Sequence, residues 1–123
     1  MNLLAFDVGA KRIGVAISRS GIIAEPLTTI RATDHNAQEQ LRSLVAREQP
    51  DVIVVGQPDQ RPELTDHFIL QLQSLIGENV KIVTVDETLT TKEAERLAGP
   101  TGDSDAVAAA LILEQYLADQ GRA

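Results

Sequence analysis

The chain has 123 residues, 43% of them apolar and only three aromatic (Phe6, Phe68 and Tyr116), which predicts a single domain, 1–123, with a small aliphatic core. It has no cysteine, which excludes disulfides and thiolate metal sites. It also shows no apolar run of membrane-span length and no basic-then-apolar export segment, so a cytoplasmic location is expected. A net charge of −7 argues against a simple basic nucleic-acid clamp but not against a nuclease, because clustered carboxylates are acidic by construction and bound divalent cations reverse the local sign.

Asn2 to Val8 is a nearly continuous apolar run, which predicts a strand buried on both faces. Ile13 to Ser18 is a second strand, and the four-residue link makes it an antiparallel neighbour. After the Ser20-Gly21 turn, Ile22 to Ile30 is extended and contains Pro26, which suits an edge strand. The chain thus opens with a three-stranded meander. Thr33 to Asn36 are capping types, and Ala37, Leu41, Leu44 and Val45 follow at helical spacing, so a helix is expected up to Pro50-Asp51. Val52 to Gly56 is a short apolar strand, and a helix before it signals a parallel crossover. Gln57 to Glu63 reads as loop, and Leu64 to Ile76 as a second helix closed by Gly77. Val80 to Val85 is the fifth strand. The spacing of Thr90 and Glu93 is that of a capping box and predicts a short helix to about Leu97. Asp103 or Ser104 caps a last helix, whose alanine-rich apolar face lets it lie close against a sheet. These elements describe a mixed α/β sheet of five strands, three antiparallel and then two parallel, flanked by helices. The ribonuclease H-like fold has that order.

The carboxylates sit where elements start or stop. Asp7 closes the first strand, Asp86 and Glu87 close the fifth, and Asp105 opens the last helix. In such a sheet Asp7 and the fifth-strand acid emerge at one end, and a helix across the sheet brings Asp105 to them. Three converging carboxylates without His or Cys favour Mg²⁺ or Mn²⁺ as cofactor, as a pair of ions that activates water and stabilises the leaving oxygen of a phosphodiester. Each residue has a plainer reading as well. Asp7 closes a hairpin turn, and Asp105 is a favourable charge at a helix N-terminus. Of Asp86 and Glu87, alternation lets only one enter the site, and it does not choose between them. Asp59 is a further candidate; Asp103 and Glu93 read as caps, and His35 and His67 as solvated. Lys11 and Arg12 in the first turn, with Lys92 and Arg96 after Glu87, flank the carboxylates and are candidates to hold nucleic-acid phosphates, with ordinary surface charge as the alternative for each.

Three blocks carry a resemblance: Leu4-Ala5-Phe6-Asp7-Val8-Gly9-Ala10-Lys11-Arg12-Ile13-Gly14-Val15-Ala16, Val85-Asp86-Glu87-Thr88-Leu89-Thr90-Thr91-Lys92-Glu93-Ala94, and the helix from Asp105 to Leu117. Together they resemble the YqgF/RuvX family, described as Holliday junction resolvase-like proteins or pre-16S ribosomal RNA nucleases. The resemblance implies a ribonuclease H-like fold and the acidic set Asp7, Glu87 and Asp105, choosing Glu87 over Asp86. It also implies either 5′-end maturation of small-subunit ribosomal RNA or resolution of branched DNA. Ala10 and Thr88 replace the family's common Thr and Arg, and the segments 57–63 and 97–104 are short and poor in cations, which bears on substrate choice more than on metal binding.

The expected activity is therefore metal-dependent hydrolysis of phosphodiester bonds in structured RNA or branched DNA. Asp7 would bridge two ions, with Glu87 and Asp105 each completing one. A homodimer or a partner surface is expected to supply backbone affinity that the acidic chain lacks. A non-catalytic ribosome-assembly or nucleic-acid-binding factor is the alternative, separated from the first reading by whether Mn²⁺ raises the melting temperature. The Asp-Val-Gly-Ala-Lys stretch also resembles the first phosphate loop of actin-like kinases, but a chain this short has no second lobe to close over ATP.

Overall fold

The computed structural model describes residues 1–57, 62–76, 79–86 and 103–121. Their elements run β1 (Leu3–Val8), β2 (Arg12–Ser18), β3 (Glu25–Arg31), α1 (Ala37–Glu48), β4 (Val52–Gln57), α2 (Pro62–Ile76), β5 (Lys81–Asp86) and α3 (Ser104–Gly121). The strands form one sheet in the order β3-β2-β1-β4-β5. β2 pairs antiparallel with β1 and β3, while β4 runs parallel to β1 and β5 parallel to β4. This is the expected ribonuclease H-like arrangement. The short helix expected to end near Leu97 lies outside the described residues, as do Gly77, Asp59, Glu87, Lys92, Glu93 and Arg96.

β1 is central, so both its faces are covered, and Leu3 to Phe6 are at most 2% exposed. That placement explains why its sequence does not alternate. Leu4, Phe6 and Val8 face α1 and α2, packing with Leu41, Leu44, Phe68 and Leu72. Phe6 meets Phe68 edge-on with ring centroids 5.2 Å apart. Leu3 and Ala5 face α3, packing with Ala109, Ala110, Ile112 and Leu113. A strand alternates its side chains, so Asp7 shares the α3 face with Leu3 and Ala5.

Two element starts and one helix cap differ most from the sequence-based expectation. β3 starts at Glu25 rather than Ile22, and Ile22 and Ile23 are exposed. The Ser18 hydroxyl accepts the Gly21 N–H, and the Ser20 hydroxyl accepts those of Ile22 and Ile23. Satisfied locally, these donors do not pair with a strand. Pro26 does sit on the edge strand, opposite Ala16 beside an irregularity in the β2–β3 register, where its missing N–H costs nothing. α2 starts at Pro62, inside the expected loop, because proline suits the first helical position, where the N–H has no intrahelical partner. At α1 the cap position falls on Asn36, but its side chain does not cap the helix and instead accepts from Gln40 Nε2 at 2.7 Å. The far end of α1 closes on Gln49 in the left-handed conformation (φ 49°), with its N–H donated to the Val45 carbonyl.

Glu48, in the last turn of α1, accepts Arg47 Nε and Arg19 Nη2, each at 2.9 Å. The hydrogen bond from Arg47, with the nearby Arg19 charge, holds its carboxyl below the ordinary 4.5. A depressed folded-state pKa contributes stability above the unfolded value, which is lost as pH falls through the folded one. Glu48→Gln is therefore expected to lower the melting temperature at pH 7. In melts taken from pH 7 to 3, the gap to the parent should close below 4.5.

Candidate active site

One row of paired residues crosses the whole sheet: Thr29 in β3, Gly14 in β2, Asp7 in β1, Gly56 in β4 and Val85 in β5. Paired residues share a face, and Val85 packs in the α3 layer, so the row faces α3. Asp7 is half-buried in the middle of this row, with a glycine on each side.

The glycines set how close α3 comes. A Cβ on Gly14 would fall on the Asp105 carbonyl and lie 3.1 Å from the Ala106 nitrogen. A Cβ on Gly56 would overlap the end of the Ile112 side chain. The first turn of α3 therefore rests on the backbone of β2, directly beside Asp7. Paired Cα atoms of adjacent antiparallel strands are only about 4.5–5.5 Å apart, so Asp7 and the Asp105 backbone are near neighbours.

The start of α3 is anchored twice more. Asp103 is its N-cap, with Oδ1 accepting the N–H of Asp105 at 3.1 Å and of Ala106 at 3.2 Å. The Thr29 hydroxyl donates to the same carboxylate, 2.7 and 2.6 Å from its two oxygens. Asp103→Ala removes the cap and the tie to β3 together. It is expected to lower stability by about 1–2 kcal/mol, readable as a fall in the denaturant midpoint at unchanged slope.

The first turn is also fixed. Gly9 donates its N–H to the Arg12 carbonyl at 2.9 Å, and Ala32 donates to the Lys11 carbonyl at 2.8 Å. From this turn Arg12 Nε reaches Asp105 Oδ2 at 3.2 Å. Lys11 is exposed beside it.

Asp7, Asp105, Lys11 and Arg12 are thus gathered at one end of the sheet. Asp86 is not with them. It is exposed and shares its face of β5 with Ile82, which belongs to the α1–α2 side, whereas Val83 and Val85 pack toward α3. Its backbone carbonyl accepts from Gln115 Nε2 of α3 at 3.4 Å. Among the described residues no three His, Cys, Asp or Glu are grouped to hold a metal ion. Asp7 and Asp105 nevertheless supply only hard oxygen donors, the chemistry that suits Mg²⁺ or Mn²⁺.

Gly14, Gly56 and Thr29 were not anticipated as parts of this site. Their signal was in the sequence, since a lone glycine inside an otherwise apolar strand marks a close backbone approach. What it does not reveal is which element approaches.

A family profile described as RuvX: Holliday junction resolvase matches residues 1–119. A protein of Mycoplasma capricolum provisionally named pre-16S rRNA nuclease is 37% identical over 136 aligned positions, covering 94% of each chain. One of the same name from Dechloromonas aromatica is 38% identical, covering 93% of this chain and 88% of that one. Among solved structures, the fowlpox virus resolvase in complex with Holliday junction DNA superposes with a TM-score of 0.68 at 15% identity, covering 98% of this chain and 99% of that one. Thermus thermophilus RuvC gives 0.58 at 12% identity, covering 98% and 97%. At these identities the structures bear on the fold, which they share.

Proposed function

The chain belongs to the RuvX family, and on that premise we propose that it is a divalent-metal-dependent nuclease that hydrolyses structured nucleic acid, with the 5′ end of pre-16S ribosomal RNA as its substrate. The observation that carries this is the seating of α3 on Gly14, which brings Asp105 beside Asp7 from the far end of the sequence. Two acids brought to one end of a sheet from opposite ends of the sequence, with only hard oxygen donors between them, suit a divalent cation. Curated relatives named for pre-16S rRNA, at 37% and 38% identity, support the RNA reading.

Asp7, Asp105 and Glu87 are the residues that would hold the metal. The placement of Asp86 on the other side of β5 supports Glu87 as the third ligand. When bound, Mg²⁺ or Mn²⁺ supplies an activated water and charge stabilisation for the phosphodiester oxygens. The chain's own part is to hold the ligands rigidly: β1 fixes Asp7 in the sheet centre, and the Asp103 cap with the Gly14 contact fixes Asp105. Lys11, Arg12, Lys92 and Arg96 would neutralise phosphates on either side of the cleaved bond. A second copy or a partner surface would add backbone affinity to a chain with a net charge of −7.

The test is cleavage of three substrates side by side: a precursor ribosomal RNA with its 5′ leader, an unstructured RNA and a four-way DNA junction. Cleavage of the leader is expected with Mg²⁺ or Mn²⁺, lost with a chelator and restored when the metal is returned. Metal-dependent cutting confined to the junction would make the chain a resolvase instead. Binding to the precursor without cutting in any metal would make it an assembly factor.

A further inference from the structure

Resting on the metal site proposed above, we propose that Arg12 is a placeholder cation. Its guanidinium neutralises Asp105 while no metal is bound, and it leaves when a divalent ion takes that carboxylate.

The two ends of this ion pair are built differently. Asp105 cannot move away: its backbone rests on Gly14, and its N–H and that of Ala106 are held by Asp103. The backbone of Arg12 is pinned as well, through the Gly9 N–H on its carbonyl. Its side chain, however, is 65% exposed, against 30% for Asp105, and the pair meets through Nε at 3.2 Å. Exposed contacts of this kind are weak, so the arginine end is the one that can let go.

Displacement follows from the chemistry of the groups. A guanidinium carries donors and no acceptor, so it cannot join a metal's ligand set. Two cations on one carboxylate also repel each other, and a divalent ion would be held by Asp7 as well as Asp105. The adjacent Lys11 makes no such contact among the described residues and supplies the control, being an equal charge in the same turn without the pair.

The experiment is calorimetric titration of Mn²⁺ alone into the full chain, without nucleic acid, for the parent, Arg12→Gln and Lys11→Gln. Thermal melts in the absence of metal verify that all three are folded. Arg12→Gln is expected to bind Mn²⁺ about two- to fivefold more tightly than the parent, the fold-change matching an exposed ion pair that need not be broken. Lys11→Gln should stay within about 1.5-fold, because solvent screens a charge that makes no direct contact. Equal or weaker binding by Arg12→Gln overturns the proposal, and so does an equal gain in Lys11→Gln, which would reflect net charge alone. If none of the folded proteins binds Mn²⁺, the metal site itself is refuted and the placeholder with it. If all bind and Arg12→Gln gains nothing, the metal site stands and only the placeholder falls.

Discussion

Asp7→Asn is expected to reduce cleavage of the precursor RNA by a factor on the order of 10³ while leaving the melting temperature within about 2 °C of the parent. The two halves of this expectation have separate causes. Asparagine keeps the size of the side chain, so its fit between Gly14 and Gly56 is unchanged. It removes the negative charge, and with it the ligand proposed for the centre of the sheet. Metal assistance contributes several kcal/mol to phosphodiester hydrolysis, and each 1.36 kcal/mol is tenfold in rate. Rate constants measured under single-turnover conditions, with melts on the same preparations, check both halves. A folded Asp7→Asn protein that cuts at the parent's rate would remove the catalytic reading of this site.

Among the described glycines, Gly14→Ala is expected to be the most damaging single added methyl group. At most surface positions that change is harmless or mildly stabilising. Here the added carbon would coincide with the Asp105 carbonyl, and the obstacle is helix backbone rather than a side chain that can rotate. The first turn of α3 must lift from β2, stretching the tie from Asp103 to Thr29. Overpacking of this kind costs about 3 kcal/mol, which for a domain of this size lowers the melting point by about 10 °C. Lifting α3 also carries Asp105 away from Asp7, so affinity for Mn²⁺ should fall in protein that is still folded at 25 °C. Gly21→Ala is the comparison. Nothing lies within 4 Å of a Cβ there, and only the φ of +77° disfavours the change, so its effect should be confined to the turn. A Gly14→Ala protein as stable as the parent would mean that α3 does not need its close seat on β2.

The order and type of the strands and long helices were legible because each carries a strong local pattern. β1 and β4 are apolar without interruption, as central strands must be, and α1 repeats its leucines at helical spacing. Boundaries were less legible where polar side chains act on their own backbone: Ser18 and Ser20 draw Ile22 and Ile23 out of β3, and Asn36 turns to Gln40 instead of capping α1. For the site, the positions of Asp7 and Asp105 along their elements were readable, and so was the role of Asp103 as a cap. The contact that assembles Asp7 and Asp105 was not. It depends on Gly14 and Asp105 being opposed across a sheet–helix interface, and no spacing along the chain encodes that opposition. Likewise, no spacing along the chain shows which cation of the first turn meets Asp105, and the geometry gives that contact to Arg12.

The glycine-seated helix also dictates when the site comes into being. The β1–β2 hairpin is local and brings Asp7 to its turn early. Asp105 is synthesised almost a full chain later, and its seat exists only once β2 has paired. Contacts between such distant segments close late, because their loop entropy must be overcome first. A nascent chain with β1 through β5 in place therefore carries Asp7 without its companion, and would leave the RNA around it intact. On the proposed site, nuclease competence would arrive with the docking of α3. Fraying its first turn, a local opening far cheaper than global unfolding, would remove that competence again.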